Sequence, residues 1–202
     1  MAKLETYEWS NMWWDRPSDG GRRVLLIGDS ITNGYHPALR EMMPDDIYID
    51  MYVTSRALDN PSFTNELSYM LTQGKYEVIH FNNGAHGGHI AYDEYKKLYK
   101  NIIETLLKLE NKPEIILSGT TPFVVPNEPK SYTEANKFSI ERDKIAAEIA
   151  DELGLMYENL YNVVDGIENI RKPDPYHFND TGSKMLAEVV CRNLKNIAYI
   201  KK

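Results

Sequence analysis

Arg23-Val24-Leu25-Leu26-Ile27-Gly28-Asp29-Ser30 is the stretch on which the fold turns. Four consecutive apolar residues closed by Gly-Asp-Ser read as a strand buried on both faces that runs into a tight turn. Three similar runs follow, Ile47 to Val53, Val78 to Phe81 and Ile115 to Leu117. Between and after them the apolar period lengthens to that of a helix. Tyr95, Leu98, Tyr99, Ile102, Ile103, Leu106, Leu107 and Leu109 keep one face, and Ile140, Ile145, Ile149 and Leu153 do so less regularly. A last helix is expected from near Asp180, capped by Asn179 or Asp180, with Met185, Leu186, Val189, Val190 and Leu194 as its apolar stripe. Strands alternating with helices of this length imply βαβ units and right-handed crossovers. The expected fold is therefore α/β, a parallel sheet covered on both faces in a three-layer α/β/α sandwich. In such sheets the ligand crevice lies beyond the carboxyl ends of the strands, where Ser30 stands.

The 202 residues suit one core, and no repeat, low-complexity tract or shift of composition divides 1–202 into more than one domain. With 42% hydrophobic and 26% charged residues the chain has the proportions of a folded globular protein rather than a disordered or membrane-embedded one. A formal net charge of −7 excludes nucleic acid as the expected partner, since phosphate binding needs a clustered positive surface. A neutral or weakly polar small molecule fits better. No window approaches ~18 apolar residues, so no membrane partner is expected. Met1-Ala2-Lys3-Leu4-Glu5 lacks the apolar core of a signal peptide, which makes a cytoplasmic location the expectation. The single cysteine, Cys191, has no partner for a disulfide within the chain and reads as a small buried hydrophobe. Residues 1–20 form an aromatic-rich N-terminal arm in which Tyr7, Trp9, Trp13 and Trp14 follow neither period. Those rings either stack on sugars or pack the arm over the core. Thr121 to Pro129 is a proline-punctuated loop after the fourth strand that is expected to wall the site.

A serine hydroxyl is a poor nucleophile at neutral pH and needs a base within hydrogen-bond reach, itself oriented by a carboxylate. Ser30 stands where a turn after the first strand exposes its hydroxyl, with Gly28 just before it to let the backbone bend and a substrate approach. Taken alone, Gly28-Asp29-Ser30 reads as a Ser or Asp capping the next helix. Near the other end lies Pro173-Asp174-Pro175-Tyr176-His177-Phe178-Asn179. Prolines on both sides of Asp174 make this a stiff, extended loop. An aspartate three residues before a histidine in such a loop can curl back to the imidazole Nδ1 and leave Nε2 outward as a base. Alone, it reads as a surface loop with a capping Asp.

Together the two segments resemble the first and last sequence blocks of the SGNH (GDSL-like) hydrolases, and the resemblance extends to the order of strands and helices. It implies a flavodoxin-like parallel sheet of about five strands, a catalytic set of Ser30, Asp174 and His177, and no cofactor. The Gly-x-Ser-x-Gly elbow of the α/β-hydrolases is absent. The middle blocks depart from the family pattern. Where SGNH enzymes take an oxyanion donor from a glycine N–H after the second strand, Val53-Thr54-Ser55-Arg56 places Arg56, whose backbone N–H survives and whose side chain either meets substrate or forms a salt bridge. Where the family shows Gly-x-Asn-Asp, this chain reads Phe81-Asn82-Asn83-Gly84-Ala85-His86-Gly87-Gly88-His89. Counting from the strand puts His86 on the family asparagine; matching by residue type points to Asn83 or Asn82. The expected oxyanion set is thus the Ser30 and Arg56 N–H groups with Asn83 or His86, an amide being favoured because it donates at every working pH. Asp29, Arg56 and Asn82 are the candidate substrate-binding residues. His36, His86 and His89 invite a zinc reading, but their spacing is too short and glycine-rich for a helical His-Glu-x-x-His site, and no metal is expected.

Within that family resemblance the implied substrates are acetylated carbohydrates, short aryl or alkyl esters, lysophospholipids and thioesters. The aromatic arm and the 14 tyrosines favour carbohydrate O-acetyl groups, hence a small-molecule or oligosaccharide ester as partner. The alternative from a different class is a non-catalytic carbohydrate-binding or scaffolding protein on the same fold, whose support is the altered blocks at Arg56 and His86.

Overall fold

A computed structural model describes residues 4–200, with the side chains of residues 198–200 left aside. Met1, Ala2 and Lys3 of the expected arm lie outside the described residues. Along the chain come β1 (Ser10–Trp13), β2 (Arg22–Gly28), α1 (Ser30–Met42), β3 (Ile47–Thr54), α2 (Pro61–Gln73), β4 (Tyr76–Phe81) and α3 (Tyr92–Leu107). Then follow β5 (Glu114–Ser118), β6 (Val124–Val125), β7 (Glu128–Tyr132), α4 (Asn136–Leu153), β8 (Met156–Glu158), α5 (Leu160–Val164) and α6 (Asp180–Ile200).

The main sheet has the order β1-β3-β2-β4-β5-β8. Its last five strands are parallel, as expected, and β1 pairs antiparallel with the outer edge of β3. Period-two alternation along β2 sends Val24 and Leu26 into one apolar cluster and Leu25 and Ile27 into the other. The first cluster is closed by Tyr35 and Leu39 of α1, Leu160 and Val164 of α5, and Leu186, Ala187 and Val190 of α6. The second is closed by Phe63 and Met70 of α2, Tyr95, Tyr99 and Ile103 of α3, and Ile145 and Ile149 of α4. Two helical layers therefore cover the two faces, and α1 packs directly on α6. Among the described residues no helix is long and apolar enough to cross a membrane.

Two local expectations need correction. Part of the arm is strand β1, although Ser10-Asn11-Met12-Trp13 shows no alternation of burial that would announce it. Its order comes from its neighbours: Thr54 Oγ1 and Ser10 Oγ share a hydrogen bond of 2.9 Å, and Ser55 N–H donates to Trp9 O at 3.1 Å. The proline-punctuated stretch is likewise not all loop, because β6 and β7 pair as a short hairpin across a turn in which Asn127 takes a φ of 65°.

Candidate active site

β2 ends at Gly28, and Asp29 turns the chain into α1. The Asp29 carboxylate accepts from Ile31 N–H at 2.8 Å and so caps the helix whose first residue is Ser30. Asp29 is 2% exposed, which makes it the support of the turn rather than a surface for substrate. Gly28 is required by close packing: a Cβ there would lie 2.0 Å from Thr32 Oγ1 and 2.6 Å from Thr32 Cβ. Ser30 is thereby presented at a helix N-terminus, where backbone N–H groups and the helix dipole favour developing negative charge.

The loop before α6 is folded around one carboxylate oxygen. Asp174 Oδ1 accepts from the N–H groups of Tyr176 and His177, both at 2.8 Å, and meets His177 Nδ1 at 3.0 Å. With the ring proton on Nδ1, facing this carboxylate, Nε2 is left to accept from the Ser30 hydroxyl at 2.9 Å. Partial burial opposes ionisation of Asp174, but the two backbone N–H bonds and the His177 ring outweigh it and hold the carboxyl below its ordinary range. The loop is held at both ends. Arg171 bridges Phe178, Val124 N–H donates to Pro175 O at 3.1 Å, and Asn179 Oδ1 caps α6 by accepting from Gly182 N–H at 3.1 Å.

Ser30 and His177 open onto a cleft of about 550 Å³, within the range of small-molecule sites. Its wall is largely aromatic and apolar, with Trp9, Ile31, Phe123, Phe138 and Tyr176; Glu5 and His86 supply the other ionisable groups. Trp9 comes from the N-terminal arm and Phe123 from the stretch expected to wall the site. Glu5 and Phe138 are not among the site candidates of the sequence, and no local signal marks either one, since each reaches the cleft from a distant part of the chain.

The expected oxyanion and binding residues separate into two groups. His86 lies on the cleft; its Nδ1 meets Glu5 Oε2 at 2.9 Å, and its Nε2 is shielded from solvent without a hydrogen-bond partner. The other candidates are committed elsewhere. Asn82 donates to Ser118 O and Gly119 O, at 2.8 and 2.9 Å, and accepts from Gly84 N–H, so its amide ties β4 to β5. Asn83, 1% exposed, donates to Arg56 O at 3.1 Å, so the amide favoured from sequence is turned to the backbone of the neighbouring loop. The Arg56 N–H donates to Thr54 Oγ1 at 3.1 Å, while its guanidinium bridges Glu8 and Glu66, each at 3.0 Å, and takes the salt-bridge alternative. The three histidines of the zinc reading also diverge: His36 meets Ile49 O, His86 meets Glu5 and His89 meets Asp59. Among the described residues no group of three or more potential ligands is placed to hold a metal ion.

No protein-family model matches the chain, and no curated protein matches it in sequence. Solved structures do. Est24, a carbohydrate acetylesterase from Sinorhizobium meliloti, is similar with a TM-score of 0.72 at 14% identity over 87% of this chain and 99% of its own. The native aryl esterase of M. smegmatis gives 0.71 at 13% identity over 88% and 100%. A chain from Slackia heliotrinireducens assigned to the SGNH hydrolases gives 0.66 at 16% identity over 87% and 100%. At such identities the likeness is one of fold. The chain has the SGNH hydrolase fold, and these neighbours in that fold include esterases.

Proposed function

We propose that the protein is a serine hydrolase of carboxylic esters, with O-acetyl groups on carbohydrates as its substrate class. The observation that carries this reading is the hydrogen-bonded chain from Ser30 Oγ through the His177 ring to Asp174, at 2.9 and 3.0 Å, at the edge of an open cleft. Ser30 Oγ attacks the ester carbonyl while His177 Nε2 takes its proton, and the ionised Asp174 stabilises the imidazolium. The negative oxygen of the tetrahedral intermediate sits by the N-terminus of α1, where the Ser30 N–H is one donor. Collapse breaks the bond to the leaving alkoxide, which takes the proton from His177. Water, activated by the same ring, then releases the acyl group as acid and restores Ser30. Every proton in this scheme is moved by side chains, so it calls for no cofactor.

For the substrate class, the flat faces of Trp9, Phe123 and Tyr176 suit stacking on a pyranose, and the fold neighbours include a carbohydrate acetylesterase. The test is acetate release from a panel of acetylated oligosaccharides and from a chromogenic aryl acetate, by the wild type and by Ser30→Ala. The expected result is turnover that falls by several orders of magnitude in a folded Ser30→Ala protein. Retention of more than a tenth of the activity would sink the assignment of Ser30. A second reading, a binding protein on this fold, is favoured by one observation: the Asn83 amide and the Arg56 N–H are both engaged with protein groups. Measurable wild-type turnover of any acetate ester rejects it.

A further inference from the structure

Two departures from the family pattern, at Arg56 and at His86, touch the same short segment of the N-terminal arm. The Glu8 carboxylate accepts from Arg56 Nη1 at 3.0 Å through one oxygen and from the Glu5 N–H at 3.1 Å through the other. Arg56 is in turn braced by Glu66 of α2. This places Glu5 against the loop after β4, where its two oxygens grip neighbouring residues: Oε2 meets His86 Nδ1 at 2.9 Å and Oε1 accepts from Gly87 N–H at 3.0 Å. A carboxylate bound at two points fixes the rotation of the ring as well as its position.

The same contact determines what the ring can do. Opposite a carboxylate, Nδ1 must carry a proton. In a neutral imidazole Nε2 would then be a bare acceptor, unable to stabilise an anion. Only the imidazolium carries N–H on both sides. Nε2 is shielded from solvent, has no partner and belongs to a ring on the wall of the Ser30 cleft. A buried polar atom left unsatisfied asks for an explanation, and a donor kept for a group that exists only during the reaction supplies one. We infer that the arm completes the active site: Glu5 is a positioning residue that holds His86 as the imidazolium, and His86 Nε2–H donates to the oxyanion in place of the amide of Asn83. This rests on the esterase reading. His86 keeps its proton throughout, while the proton of Ser30 travels to His177 and on to the leaving alkoxide.

The charged groups around the ring favour this state. Glu5 and Glu8 of the arm and Asp29 of the turn after β2 act on it as negative charges; His177 lines the same cleft and His89 stands further along the same loop. Burial disfavours the charged ring, but the Glu5 hydrogen bond and the charges of Asp29, Glu5 and Glu8 outweigh it and raise its pKa above the ordinary imidazole value.

The experiment is the pH profile of kcat/KM and kcat with a chromogenic aryl acetate for wild type, Glu5→Gln, His86→Asn, His86→Ala and Ser30→Ala. A nitrogen-detected NMR titration of the His86 ring in the wild type accompanies it. The wild type should show an alkaline limb from deprotonation of His86. Glu5→Gln should move the alkaline limb to lower pH by on the order of one unit, with KM little changed. His86→Ala should lower kcat by ~10²–10³. His86→Asn should recover much of that loss and abolish the alkaline limb, because an amide donor does not titrate. A ring neutral at pH 7, superimposable profiles for wild type and Glu5→Gln, or a kcat for His86→Ala within threefold of wild type would each overturn the inference. If those results came with an inactive Ser30→Ala, the esterase reading would stand and only the role of Glu5 and His86 would fall. An active Ser30→Ala would remove the reading beneath both.

Discussion

A methyl group at position 28 is a small change that reaches Ser30 through the fold. In Gly28→Ala the new carbon would sit 2.6 Å from Thr32 Cβ and 2.0 Å from its Oγ1. Non-bonded carbon atoms rest at about 3.5–4.0 Å, so the end of β2 and the first turn of α1 must part by roughly 1 Å. Thr32 is 2% exposed and has little room to retreat. Ser30 lies between the two residues, and its hydroxyl is held to His177 Nε2 by a bond of 2.9 Å that a shift of this size would break. The expected outcome is a stability loss of about 1–3 kcal/mol, as for other overpacked sites. Turnover should fall about 10²-fold, as misplacement of a reacting group by 1 Å does. Urea unfolding gives the first number and aryl acetate hydrolysis the second. Gly28→Ala/Thr32→Gly removes the colliding atoms and should bring turnover back to within about tenfold, at roughly 1 kcal/mol for a glycine in the helix. A single mutant within twofold of wild type, or a double mutant no better than the single, would refute the packing argument.

Other outcomes are expected from the same geometry. Asn83→Ala should lower stability by about 1 kcal/mol for the lost bond to Arg56 O while changing kcat less than about threefold, as urea unfolding and steady-state kinetics would show. Arg142, 1% exposed, lies with its guanidinium 3.2 Å over the Tyr95 ring and donates to Gly87 O, so Arg142→Lys should cost about 1–3 kcal/mol in urea unfolding and loosen the His86 loop. Burial opposes ionisation of Glu158, but His80, Asn193 and Ser118 outweigh it and hold the carboxyl below its ordinary value. Its folded pKa being the lower one, that stabilisation is complete above the unfolded value of about 4.3 and is lost as pH falls through the folded value. Tm measured from pH 7 to 3 should therefore fall less steeply in Glu158→Gln than in the wild type. Incubation with EDTA should leave ester hydrolysis unchanged, and added zinc should not raise it.

The parts legible in the sequence are those whose cause is local. Val24 to Ile27 lie inside a single strand that needs an apolar side chain on each face, and Asp174 reaches His177 across three residues of its own loop. What stayed illegible depends on partners far along the chain. Ser10 to Trp13 become a strand because β3 offers them an edge, and the four residues carry no pattern that says so. Which of Asn83 and His86 lines the cleft is illegible for the same reason. It turns on the carbonyl of Arg56, 27 residues away from Asn83, and on the carboxylate of Glu5, 81 residues from His86.

Ser30 opens α1, His177 stands three residues ahead of α6, and the two helices lie side by side against the same face of the sheet. The reach from hydroxyl to imidazole is therefore gauged by how one helix seats against the other, through Tyr35 and Leu39 on one side and Leu186 and Val190 on the other. A helix advances ~1.5 Å per residue, so even a fraction of one residue's slip along that seam opens a 2.9 Å contact beyond hydrogen-bond range. The seam acts as a vernier for the site. Repacking it, well away from the cleft, would detune the site at temperatures where the sheet itself is still intact.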